Sequence, residues 1–155
     1  MFTLPEYGRV VGLDVGEVRT GVAVSDPMRM IASPHDTIAM GSPEANIEAV
    51  RRVVAATEAV CLVAGVPLDR EGKPGPQAQK VLAFVEQLRA ALDIPVETVD
   101  ERFSTAGAER ALRAADVRGR KRRGVIDKVA AADILRTFLD RLAAQAAAAR
   151  RNHEP

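Results

Sequence analysis

The sequence predicts one α/β domain built on a mixed five-stranded sheet flanked by helices. Three observations carry this. Residues 8–15 and 18–25 are two apolar runs joined across Gly16-Glu17, as in an antiparallel hairpin. Residues 59–64 and 95–99 are further short apolar runs, each preceded by a segment of helical periodicity. The full order is three strands, helix, strand, helix, strand, helix, helix, so a hairpin meander is followed by strand–helix alternation.

Each element has a local reason. The third strand is expected near 30–39, from Met30, Ile31, Ile38 and Ala39; Pro34 inside it predicts an edge position or a bulge. Ser42-Pro43-Glu44 reads as an N-cap, a proline in the first turn and an early acid. Ile47, Val50, Val53 and Val54 then recur at helical spacing to about Thr57. Ala59 to Ala64 is uninterruptedly apolar, as in a strand covered on both faces. Gly65 to Pro76 is a polar, Gly/Pro-rich loop. Residues 77–92 place Val81, Phe84, Val85, Leu88 and Leu92 on one helical face. Pro95 to Val99 is a short strand, and Ser104 or Thr105 caps a helix to about Ala115. A last helix is expected from about Ile126, fading into an Ala-rich tail. Residues 1–150 form the domain, and 151–155 a short polar tail.

The 155 residues fit one domain that needs no staples. With 47% apolar and 28% charged residues, usage is that of an ordinary globular protein. One cysteine, Cys61, excludes an internal disulfide and agrees with a cytoplasmic location. Two histidines and one cysteine exclude a finger-type zinc cluster. No signal peptide and no apolar stretch long enough to span a bilayer is read, so no membrane partner is expected.

Asp14 is the most informative residue. It is a carboxylate at the end of an apolar strand, where burial without a partner is costly. Glu101 just past the last strand and Asp127 at the opening of the last helix could meet it above one sheet edge. Two carboxylates about 4 Å apart repel by on the order of 4 kcal/mol at an effective dielectric of 20. Three therefore call for a cation, and Mg²⁺ or Mn²⁺ suits an all-oxygen site. Two such ions would serve phosphodiester cleavage. The bland alternatives stay open at this point: Asp127 as a helix-start acid favourable with the dipole, and Asp100-Glu101 as a solvated turn.

Asp26, before Pro27, reads as a turn former, with a supporting role behind the acidic group as the alternative. Arg118-Gly119-Arg120-Lys121-Arg122-Arg123 holds five basic residues in six positions with no acid. It reads as a mobile loop contacting a phosphate backbone. Arg19 is either a further phosphate contact or an exposed hairpin arginine. Gly65 to Lys73 lacks the phosphate-loop spacing and the following Ser/Thr, so an ATP site is rejected. Cys61 is expected as a small buried apolar residue, and His35 and His153 as structural or surface residues. Only 3% of residues are aromatic, so recognition should rest on backbone and shape rather than base stacking.

Four motifs, in order along nearly the whole chain, are similar to one family. They are Gly12-Leu13-Asp14-Val15-Gly16 with Arg19, Gly21, Val22, Ala23 and Ser25-Asp26; Gly65-Val66-Pro67-Leu68 with Gly72; Asp100-Glu101-Arg102 with Ser104-Thr105; and Ile126-Asp127 with Ala130-Ala131 and Ile134-Leu135. Together they resemble the YqgF family, also called RuvX-like, of bacterial RNase H-like nucleases. The resemblance implies an RNase H-like fold. It also implies two activities: processing of the small-subunit ribosomal RNA precursor, at the 5′ end of pre-16S rRNA, and Holliday junction resolution. It puts Asp14, Glu101 and Asp127 in the metal-binding positions, Glu101 rather than Asp100 facing the metal. Arg102 joins Arg19, Arg118, Arg120, Lys121, Arg122 and Arg123 as an expected nucleic-acid contact. The implied partners are an rRNA precursor or branched DNA, together with ribosomal particles, bound by a monomer or homodimer.

Two other readings compete with a metal nuclease. A phosphotransferase of the actin and sugar-kinase type also begins with Asp-x-Gly in a hairpin, but needs a second domain. A non-catalytic nucleic-acid or ribosome-associated module would keep the basic segment without needing three carboxylates.

Overall fold

The computed structural model describes residues 4–103 and 120–153. Five strands, β1 (Val10–Val15), β2 (Arg19–Ser25), β3 (Ala32–Ala39), β4 (Cys61–Val66) and β5 (Val96–Asp100), form one sheet in the order β3-β2-β1-β4-β5. β1 pairs antiparallel with β2 and parallel with β4, and β4 pairs parallel with β5. The sheet is thus the expected meander continued by parallel strands. β3 is one of the two edge strands, opposite β5. Its register with β2 shifts between Val22 and Ala23, so that Val22 faces Asp36 and Ala23 faces Pro34. Pro34 takes the edge and the bulge together, because neither demands a ladder N–H from it.

Helices cover both faces. Helix α1 (Pro43–Thr57) starts at the Ser42 N-cap, whose hydroxyl accepts from the Ala45 backbone N–H at 3.2 Å. α2 (Pro76–Ala91) follows the 67–75 loop. Val11, Leu13 and Val15 of β1, with Leu62, Ala64 and Val66 of β4, pack against Val50, Val81, Val85 and Leu88 of these helices. The opposite face takes α3 (Arg120–His153). There Val10, Ala23, Cys61, Val63 and Val99 meet Ala130, Ala131, Ile134, Leu135 and Phe138. Fully burying a side chain such as Leu135 or Phe138 is worth about 1.5–3 kcal/mol, so this face anchors α3 firmly. The central strands are both covered on two faces, so β4 is apolar throughout and β1 is apolar but for Asp14.

Two expectations about the last third of the chain change. α3 begins at Arg120, not near Ile126, and continues through the Ala-rich segment to His153. Arg120, Lys121, Arg122 and Arg123 therefore enter as helix rather than as a mobile loop. Arg and Lys are good helix formers, and the cost of about 1 kcal/mol for Gly124 is small beside the packing of the following turns. Asp127 accordingly lies within the helix and does not open it. Arg118 and the helix expected over 104–115 lie outside the described residues.

Candidate active site at one edge of the sheet

Asp14 is held in β1 directly opposite Gly21 of β2. Directly paired residues project to the same face, here the face covered by α3. A Cβ on Gly21 would stand 2.0 Å from the backbone oxygen of Asp127. Only glycine lets the helix come this close, and the approach sets Asp127 above the strand beside Asp14.

The other flank is built the same way. β1 pairs Leu13 with Ala64 of β4, so Gly65 is the next residue along, beside Asp14. A Cβ on Gly65 would stand 2.8 Å from Glu101 Oε1 and 2.5 Å from Ile134 Cδ1. Glu101 follows β5 in a 3₁₀ turn, Glu101–Phe103, which turns its side chain back over Gly65. Asp14, Glu101 and Asp127 are thus three buried carboxylates, 1%, 3% and 2% exposed, around a floor of Gly21 and Gly65.

Arg19, four residues from Asp14's own strand, reaches this group. Its Nε donates to Asp127 Oδ2 at 3.0 Å. It is a partly buried cation paired with an acid of the group, with a quarter of its side chain exposed. Arg102 points elsewhere. Its Nε and Nη2 donate to Asp100 Oδ2 at 2.9 and 2.6 Å. That guanidinium holds the Asp100 carboxyl below the usual carboxylate range, and the Arg102 pKa is raised in return. Glu101 and Asp100 therefore occupy different environments, the first in the carboxylate group and the second clasped by arginine.

The donor set fits a hard divalent cation: three buried, anionic, all-oxygen side chains with no sulfur or imidazole among them. Among the described residues no group of three or more His, Cys, Asp or Glu side chains is placed so that it could hold a metal ion as it stands.

Other sequence expectations fall into place. Asp26 accepts the backbone N–H groups of Met28, Met30 and Ile31, which makes it the turn former and holds its carboxyl below the usual range. Cys61 is buried in the α3 face, and burial pushes its thiol up to about 12. His35 and His153 are exposed. A concavity of about 490 Å³, lined by Val15, Glu17, Met40, Lys80 and Phe84 among others, opens on the α1–α2 side, away from the carboxylates. No helix among the described residues is long and apolar enough to cross a membrane. Gly21 and Gly65 become recognisable as the floor of the site only in the tertiary structure. The available signal was a glycine inside an otherwise apolar strand, which marks close approach.

The sheet order defines the fold class, RNase H-like. Solved structures agree on the fold. RuvC of T. thermophilus in complex with a Holliday junction substrate superimposes with a TM-score of 0.54 at 13% identity, covering 88% of this chain and 96% of that one. The Fowlpox virus resolvase, in complex with substrate Holliday junction DNA, gives 0.53 at 10% identity over 86% and 98%. Within that class, residues 8–141 match the profile of the RuvX family, described as Holliday junction resolvase, and the chain belongs to this family. A relative from Roseiflexus sp. is 45% identical over 87% of this chain and 96% of its own length. One from Paracoccus denitrificans is 43% identical over 90% and 88%. Both are provisionally named pre-16S rRNA nuclease.

Proposed function

We propose that this nuclease is a divalent-metal-dependent endonuclease acting on structured RNA in the cytoplasm, at the 5′ end of pre-16S rRNA. The observation that carries the proposal is the group of three buried carboxylates on one glycine-floored edge of the sheet. The names of the relatives favour the RNA substrate.

Asp14, Glu101 and Asp127 would hold Mg²⁺ or Mn²⁺, and two such ions supply an activated water and stabilise the leaving oxygen. The chain's residues do the rest. Asp14 sits on the central strand, so its carboxylate is fixed by the most rigid part of the fold. Arg19 offsets one negative charge at Asp127, which lowers the repulsion that an incoming phosphate meets. Arg118, Arg120, Lys121, Arg122 and Arg123, just before Asp127 in the chain, are the proposed phosphate-backbone contacts. They bind without reading base identity.

Purified protein and Asp14→Asn are incubated with precursor rRNA and with a four-way DNA junction, each with Mn²⁺. Cleavage of the precursor by wild type alone is the expected result. Cleavage of the junction alone supports the second reading, a junction resolvase, which the family description favours. Cleavage of neither, with no Mn²⁺ binding by titration, overturns the enzyme in favour of a nucleic-acid-binding module. Neutralising the five basic residues should lower the log–log salt slope of binding, by at most about 4 to 5 units on duplex DNA.

A further inference from the structure

The 67–75 loop between β4 and α2 is compactly built. Asp69 Oδ1 accepts the backbone N–H groups of Glu71 and Lys73 at 2.9 and 2.8 Å. The Asp69 N–H donates to the Lys73 carbonyl, and the Gly72 N–H donates to the Asp69 carbonyl. Gly72 turns with φ +81°, a conformation that favours glycine. Against it lies Arg102. A Cβ on Gly72 would meet Nη2, Nη1 and Cζ of Arg102 at 3.1, 3.3 and 3.4 Å, so the guanidinium lies broadside to the glycine. Arg102 Nη1 also donates to the Arg70 carbonyl at 3.3 Å. The other side of the fork, Nε and Nη2, is on Asp100, whose Oδ1 also accepts the Arg102 backbone N–H at 3.0 Å.

We propose that Arg102 is a positioning residue, which clamps the 67–75 loop to the end of β5 and thereby holds Glu101 over Gly65. Glu101 and Arg102 are adjacent in one 3₁₀ turn. Fixing the guanidinium between Asp100, Arg70 and Gly72 fixes the backbone that carries Glu101. The planar fork makes this possible; a lysine ammonium cannot bind Asp100 through two nitrogens and reach the Arg70 carbonyl together. The same geometry argues against Arg102 as a phosphate contact. Nε and Nη2 face Asp100 and Nη1 faces the Arg70 carbonyl, so the fork is turned onto the protein, beside a carboxylate that repels phosphate. The effect on cleavage rests on the nuclease reading; the clamp itself does not.

The clamp is tested in the free protein by amide hydrogen exchange on wild type, Arg102→Ala, Arg102→Lys and Gly72→Ala. Far-UV circular dichroism checks that each variant is folded. Exchange at the amides of residue 72 and Lys73 is expected to quicken about tenfold or more in all three variants. Arg102→Ala is the decisive one, because Gly72→Ala strains the φ +81° turn itself as well as disturbing the contact. Unchanged exchange in folded Arg102→Ala overturns the clamp, whether or not the wild type cleaves RNA. On precursor rRNA, Arg102→Ala and Gly72→Ala should lower kcat similarly, with KM and the salt dependence of binding near wild type. A salt slope reduced by about 0.7–0.9 in Arg102→Ala, with Gly72→Ala unaffected, overturns the proposal and makes Arg102 a phosphate contact. No cleavage by the wild type would remove the nuclease reading and leave the clamp standing on the exchange result.

Discussion

Arg19 Nε stands 3.0 Å from Asp127 Oδ2, and joins two residues 108 positions apart in the chain. The acid is 2% exposed and the arginine 25%. This pair ties the first hairpin to the last helix at the edge where Asp14 and Glu101 lie. Arg19→Gln removes the cation and leaves the buried acid less compensated. We expect a loss of roughly 1–2 kcal/mol, less than for a fully buried pair because Arg19 is partly solvated. In a domain of this size that lowers Tm by about 2–8 °C. Arg19→Gln with Asp127→Asn should recover part of the loss, and a double-mutant cycle by denaturant unfolding checks it. Strict additivity would show that the pair carries no coupling.

Asp14→Asn is expected to keep the fold and to lower cleavage by at least about 100-fold, because a donor on the most rigid strand is lost. Without metal it should also raise Tm by a few degrees, since one of three neighbouring buried negative charges is removed. Cleavage assays and calorimetry in chelator check the two halves. Wild-type rates in this variant would remove Asp14 from the site.

Gly21→Ala tests the close approach of α3. The added Cβ would stand 2.0 Å from the Asp127 backbone oxygen, so the helix must move. Overpacking of this kind typically costs 1–3 kcal/mol, and backbone against backbone puts it at about 3 kcal/mol or more. Chemical denaturation measures this directly. Activity should fall more than stability explains, since Asp127 moves with the helix. A variant as stable and active as wild type would contradict the packing described here.

Asp26 sets a pH dependence. The N–H groups of Ile31, Met30 and Met28 hold its folded pKa below the ordinary 3.8. The contribution is therefore present above the unfolded pKa and is lost as pH falls through the lower, folded one. The Tm gap between wild type and Asp26→Asn should be full above about pH 5 and close toward pH 3 and below. Thermal melts across that range check it, and a gap independent of pH would mean that the charge on Asp26 is irrelevant.

Much of this molecule is legible locally. The hairpin around Gly16, the Ser42 cap, the apolar β4 and the amphipathic α2 follow from periodicity and punctuation within a few residues of each element. So does Asp14 as an acid inside an apolar strand. What the sequence could not decide is what each charged side chain faces. Arg19 and Arg102 look alike as basic residues near acids. Only the tertiary structure turns one to Asp127 and the other to Asp100 and the 67–75 loop. The start of α3 at Arg120 is of the same kind. Its local signals, a cluster of cations and Gly124, argue for a loop, and the packing of later turns against Gly21, Cys61 and Val99 outweighs them. Sequence periodicity encodes which face of an element is apolar. Contacts between residues a hundred positions apart depend on how the sheet and helices close on one another, and that closure placed Asp127 beside Asp14.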